Sequence, residues 1–256
     1  MLARLDTARN LDEQGLNYLQ DIPNEYKLLY EFLSQAYESR YLPTEIKIAL
    51  TNIGKNINLI NTESIANEFA KTNNGKANIA VYLYEDFLAQ YDKLRDTEKR
   101  KEGGVYYTPR EAADFIARGV NSIIKGSFGL AQGYGALNVK VLDFACGTGT
   151  FLHSIFDIML PDGMDDLAKI MAKSKITNDI YGFEILFTPY IIAHTILTRF
   201  LAGKGIRLGN DRLGVYLTNT LDIGQHTISD LLPALKKESD KATLIKNEEK
   251  ILAIVC

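Results

Sequence analysis

Apolar residues recur at three- and four-residue spacing through the first third of the chain. Leu28, Leu29, Phe32, Leu33 and Ala36 form one such stripe, and Val81, Tyr84, Phe87, Leu88 and Tyr91 form another. This period predicts helices over about Leu11 to Leu94. Pro43-Thr44-Glu45 predicts a break and a fresh helix start, and Asn73-Asn74-Gly75 a further stop. Past residue 100 the pattern changes. Short β-branched and apolar runs now alternate with helical stretches: Val139 to Phe144, Ile180 to Phe183, Leu213 to Leu217 and Lys250 to Val255. Such alternation predicts a parallel sheet with crossover helices, an α/β fold preceded by a helical domain. The boundary falls at the hinge Gly103-Gly104, giving residues 1–102 and 103–256.

Between the strands the pattern makes further demands. Thr108 is placed to cap a helix with Pro109 at its first position and Glu111 at its third, and Ala113, Phe115, Ile116 and Val120 are placed to pack that helix on the sheet. A four-glycine loop spans Gly126 to Gly135, and a helix is expected from Thr150 to about Leu160. Pro161 to Asn178 is polar and helix-like, an insertion between the first two strands. Pro189 to Leu201 is a strongly apolar helix. Ile228 to Leu235 predicts a short helix, and Lys236 to Glu249 an exposed, charged connection.

Composition narrows the classes. The 256 residues are 46% hydrophobic, enough to bury a real core, with a net charge of −3. An autonomous DNA-binding protein would carry a basic surface for phosphate, so any grip on DNA is expected to lie mostly elsewhere. Two cysteines, Cys146 and Cys256, stand without metal spacing, so no metal ligand is assigned. No run approaches a membrane span and the N-terminus has no apolar signal core, so a cytoplasmic protein is expected. Glu45-Ile46-Lys47 matches a nuclease triplet only in letters, because it opens a helix where such a site needs a strand.

The chemistry centres on Asp143-Phe144-Ala145-Cys146-Gly147-Thr148-Gly149-Thr150. Gly147 and Gly149 allow positive φ and a ligand against the backbone. The helix after them aims unpaired N–H groups at an anion, while Asp143 faces the same crevice from the strand end. A ligand with both a carboxylate and an ammonium suits the two features, as in the methionine moiety of S-adenosylmethionine. A nicotinamide dinucleotide suits them less well. Its fingerprint needs a third glycine where Leu152 stands and an acid roughly 20 residues on, whereas Glu184 follows Gly149 by 35 (184 − 149).

At these residues the chain resembles a known family. Asp143 to Leu152 looks like the cofactor motif of adenine-N6 DNA methyltransferases, with Gly104-Val105-Tyr106-Tyr107-Thr108-Pro109 before it and Tyr181-Gly182-Phe183-Glu184-Ile185 after it in the family's order. The methylase part of single-chain restriction–modification enzymes, of the type ISP and type IIG kind, is the nearest match. The resemblance implies a Rossmann-like S-adenosylmethionine-dependent methyltransferase fold with an incomplete sheet. It implies cofactor contacts at Thr108, Asp143, Ala145, Cys146, Gly147, Gly149, Glu184 and Ile185. Asn219 and Thr220 take the place of the loop that meets the cofactor's adenine, with Asp222 as the alternative to Asn219.

The family's base clamp, Asn-Pro-Pro-Tyr, does not occur in the sequence, so no catalytic residue is assigned. The chain is then expected to be inactive alone, either as part of a larger site-specific modification enzyme or completed by a partner. Double-stranded DNA would be engaged through parts missing here, together with the remainder of the restriction–modification enzyme. A non-catalytic nucleotide-binding or assembly module, or a methyltransferase for another substrate, stands as the alternative.

Overall fold

A computed structural model describes residues 43–59, 61, 64, 108–221 and 233–256. The chain divides into two compact units, Met1–Thr97 and Glu98–Cys256. In the first, helix α1 (Thr44–Leu59) begins directly after Pro43, and Glu45 and Lys47 both stand on it. The other helices expected before residue 95, and the hinge at 103–104, lie outside the described residues.

The second unit is built on a four-stranded sheet, all parallel, in the order β3-β2-β1-β4. Its strands are β1 (Val141–Asp143), β2 (Ile180–Glu184), β3 (Gly214–Leu217) and β4 (Ala253–Val255). The helices are α2 (Arg110–Gly126), α3 (Thr150–Met159), α4 (Asp166–Asp179), α5 (Phe187–Gly203) and α6 (Pro233–Glu248). Because β1 lies between β2 and β4, the chain reverses its direction of winding there. Open parallel sheets form their ligand crevice at the carboxyl ends of the strands flanking such a point.

Both faces of the sheet are covered. Successive residues of a strand point to opposite faces. Tyr181 and Phe183 of β2 join Tyr216 of β3 in a cluster with Ala242 and Ile245 of α6. Gly182, between them, faces α3, where a Cβ would lie 2.8 Å from Leu152 Cδ1 and 3.1 Å from Cys146 Sγ. Only glycine lets α3 and its leading loop lie this close to β2. On α5, His194 is buried and its Nε2 donates to the Val215 carbonyl at 3.0 Å. Burial lowers the His194 pKa to about 3, so the ring stays neutral.

Several expectations are corrected. β1 is only three residues long, and Phe144, read as its last apolar residue, lies beyond it and is exposed. Thr108 does not cap α2. Pro109 is the residue before the helix, with extended backbone (φ −54°, ψ 136°) and no side-chain cap. Phe115 (80% exposed) and Ile116 turn outward, while Ala113, Ala117 and Ile124 are buried. The reason is that α2 packs on α3 and on a 3-10 turn at Gly133–Gly135, so small residues form its inner face. Tyr134 of that turn, inside the expected glycine loop, is buried and donates to the Ala117 carbonyl at 2.9 Å.

The stretch 161–178 contains α4, capped by Asp165, whose side chain accepts from Ala168 N–H at 2.7 Å. The expected charged connection at 236–249 is largely helix α6, with Ala242 and Ile245 buried. Parallel strands need a long crossover, and a helix satisfies its backbone. The expected helix start at Ile228 lies outside the described residues. β4, at the predicted fourth strand run, is an edge of the described sheet with Ile254 61% exposed.

Candidate cofactor site

The carboxyl ends of β1, β2 and β3 carry the site. Asp143 ends β1 and is 1% exposed. Its Oδ1 accepts from Ala145 N–H at 3.3 Å, and its Oδ2 has no partner among the described residues. Leaving such a buried acceptor unmatched costs about 1–3 kcal/mol. Burial raises the Asp143 pKa to about 7, helped by the nearby Glu184 charge and opposed by the Ala145 hydrogen bond.

Glu184 ends β2, also buried. Its Oε2 accepts from Gly147 N–H at 2.8 Å and its Oε1 from Leu186 N–H at 2.7 Å. No basic side chain pairs with it among the described residues, so it is not tied up in a local salt bridge. Glu184 instead fastens the glycine loop to the next strand. Cys146 N–H adds a second tie by donating to the Phe183 carbonyl at 2.9 Å.

The loop has the backbone that its glycines allow. Gly147 has φ +53° and Gly149 φ +86°, a region that side chains rarely adopt. A Cβ on Gly147 would meet nothing within 4 Å, so its backbone is open to approach. On Gly149 a Cβ would sit 3.1 Å from Leu197 Cδ1, because α5 packs against the turn. Gly149 leads into α3, whose first-turn N–H groups carry the positive end of the helix dipole. Cys146 is buried, and burial and then the Asp143 and Glu184 charges push its thiol well up, so it is no nucleophile.

The remaining expected residues divide. Ala145 and Ile185 are exposed beyond β1 and β2. Thr220 Oγ1 donates to the Phe144 carbonyl at 2.5 Å, tying the loop after β3 to the end of β1. Asn219 is exposed, and its Oδ1 accepts from Leu221 N–H at 3.0 Å, leaving a second lone pair. Asp222 lies outside the described residues. Thr108 is half-buried before α2 and makes no hydrogen bond to these groups among the described residues.

Two features escaped the sequence reading. Lys246 of α6 donates to Thr218 Oγ1 at 2.8 Å and to the Asn219 carbonyl at 2.7 Å, and its ammonium lies 5.4 Å from the Phe183 ring centre. It holds the loop after β3 from the far side. Its signal was the spacing Ala242, Ile245, Lys246, hidden in a run of charge. The other is the exposed apolar rim, in which Phe144 and Leu221 join Ile185.

A family described as N-6 DNA methylase matches residues 76–229, more than half of the chain. The chain belongs to the N-6 DNA methylase family. Among solved structures it is similar to part of DrdV in a cryoEM DrdV–DNA complex, at 21% identity and TM-score 0.61. That match covers 98% of this chain and 22% of the other. It is also similar to part of a nuclease-deletion mutant of the type ISP restriction–modification enzyme LlaGI, in complex with a DNA substrate mimic. There the identity is 16% and the TM-score 0.51, over 96% of this chain and 20% of the other. The chain thus spans about a fifth of each of these proteins, and the likeness is one of fold. No curated protein matches the sequence. Among the described residues no helix is long and apolar enough to cross a membrane, and no cluster of His, Cys, Asp or Glu could hold a metal ion.

Proposed function

We propose that this member of the N-6 DNA methylase family binds S-adenosylmethionine at the carboxyl ends of β1 and β2, as the cofactor-binding part of a site-specific adenine-N6 DNA methyltransferase of a restriction–modification system. The observation that carries this reading is the buried Oδ2 of Asp143, unpartnered among the described residues, beside an open glycine loop. The residues present fit the cofactor. Asp143 supplies an acceptor for an ammonium, and the N–H groups opening α3 suit a carboxylate. Glu184 keeps lone pairs for a ribose diol after its two backbone hydrogen bonds. The exposed Phe144, Ile185 and Leu221 suit the faces of an adenine, with Asn219 as an acceptor for its amino group. When bound, S-adenosylmethionine supplies an electrophilic methyl group on a sulfonium.

The chain's own work under this reading is binding and orientation. Glu184 and Thr220 hold the loops after β1 and β3 in place, so little ordering accompanies ligand entry. With no Asn-Pro-Pro-Tyr in the sequence, these 256 residues hold the cofactor without gripping a flipped adenine, and DNA is engaged by other parts of the enzyme.

Calorimetric titration of the purified chain with S-adenosylmethionine tests the proposal. Saturable binding is expected, weakened at least tenfold by Asp143→Ala and by Glu184→Ala, about 1.4 kcal/mol each. A folded wild type giving neither heat nor thermal shift would reject the cofactor site in favour of a non-catalytic assembly module.

A further inference from the structure

We propose that cofactor binding is coupled to proton release: Asp143 carries a proton in the free protein and gives it to solvent when the cofactor's ammonium docks on Oδ2. This rests on the cofactor site proposed above and adds a pH control to it.

The geometry comes first. Asp143 Oδ1 has one backbone donor, and Oδ2 is buried with no donor among the described residues. Among the described residues, the titratable groups facing it are acidic or neutral: Glu184 from β2, Cys146 from the loop and Cys256 from the end of β4. Among the described residues no ion pair neutralises Asp143. Glu184 already accepts hydrogen bonds from two backbone N–H groups. Of the two adjacent acids, the proton therefore belongs on Asp143, where burial and the Glu184 charge both favour the neutral form. Consistently, its pKa lies at about 7.

The proton balance is simple. Neutral Asp143 plus an ammonium ligand becomes a carboxylate–ammonium pair, and one proton passes to buffer. An α-amino group titrates at about 7.7–8.0, so near pH 6 the ligand arrives fully charged and contributes no proton change. His153 and His194, with pKa values of about 4 and about 3, are already neutral there.

The fraction of Asp143 ready to pair falls from about one half at pH 7 to about one tenth at pH 6. Affinity should therefore fall about fivefold over that interval. The test is calorimetry of the full chain with S-adenosylmethionine at pH 6, in phosphate and in bis-Tris, whose ionisation enthalpies differ. Close to one proton released per ligand, and a fivefold weaker Kd than at pH 7, would support the coupling. Asp143→Asn should bind with no buffer dependence and a flat pH profile. Should that variant not fold, the buffer pair on the wild type decides alone. Saturable wild-type binding with equal heats in the two buffers would overturn the proton coupling while leaving the cofactor site standing. Absence of any binding would overturn both.

Discussion

The two ends of the sheet are opposites in electrostatic terms. At the amino end, Lys175 of α4 is 6% exposed, and its ammonium donates to the Val139 carbonyl at 2.6 Å, to the Leu137 carbonyl at 3.3 Å and to Asp179 at 2.9 Å. Lys140 pairs with Glu249 and lies 3.9 Å from Asp179. Tyr181 donates its hydroxyl to the Asn178 carbonyl, and burial holds its pKa above the usual value. Lys175, Lys140, Asp179 and Glu249 there each have a partner of opposite charge. At the carboxyl end two acids stand together, one of them half-satisfied, beneath an open loop and an apolar rim. A buried charge that is fully paired serves the fold, whereas a buried acceptor without a donor is a cost that folding alone does not recover. That difference is why the proposed cofactor site lies at the carboxyl end.

The contrast can be broken most severely at the amino end. Lys175→Met would strand the Val139 and Leu137 carbonyls and leave Asp179 with Lys140 alone, for an expected loss of about 3 kcal/mol or more. Denaturant unfolding reads this loss, and cofactor affinity should stay within about twofold for the chain that remains folded. A comparable fall in affinity would mean that the two ends are not independent.

The next effect is at Asp143 and appears in the pH dependence of stability. Its folded pKa is raised, so the folded state holds the proton above the unfolded value, and stability falls as pH climbs from the ordinary carboxylate range through about 7. Between pH 5 and pH 8 the wild type should lose roughly 2 to 3 kcal/mol from this group alone. His194 and His153 act with the opposite sign. Their folded pKa values are depressed, so their contribution is present above the unfolded value near 6.5 and is lost as pH falls toward about 3 for His194 and about 4 for His153. Comparing Asp143→Asn with wild type at each pH cancels the histidines. The difference in Tm should shift toward the variant as pH rises, and a pH-independent difference would exclude the buried proton.

The smallest effect sharpens the picture of the site's rim. Thr220→Val removes the tie to the Phe144 carbonyl at a cost of about 0.5–1.5 kcal/mol. Limited proteolysis should show the loop after β3 cut sooner in this variant, with cutting elsewhere unchanged. Equal cutting rates would mean that Lys246 alone holds the loop.

Much of this was legible from residues. The strand at Val141–Asp143, the glycine turn and the acid ending β2 could be read because a parallel core strand, a positive-φ turn and a crossover helix each leave a local mark. Other features left no such mark. Phe115 looks like core, and only the close approach of α2 to α3 turns it outward and buries Ala113 and Ala117. Lys175 looks like a solvated face, yet it is one of the most buried charges because the Leu137 and Val139 carbonyls, just before β1, lie opposite it. Residues 236–249 look like a charged linker, yet Ala242 and Ile245, three positions apart, pack against the sheet.

The sequence by itself determined the αβ alternation, the family and the loop that can receive an anionic group, since these depend on neighbours within a few positions. Only the tertiary structure decided the strand order β3-β2-β1-β4, the fastening of Gly147 by Glu184 across 37 positions, and which acid keeps an unmatched oxygen. Those outcomes depend on which groups burial brings together and which it strips of water, and no local pattern encodes a partner that distant.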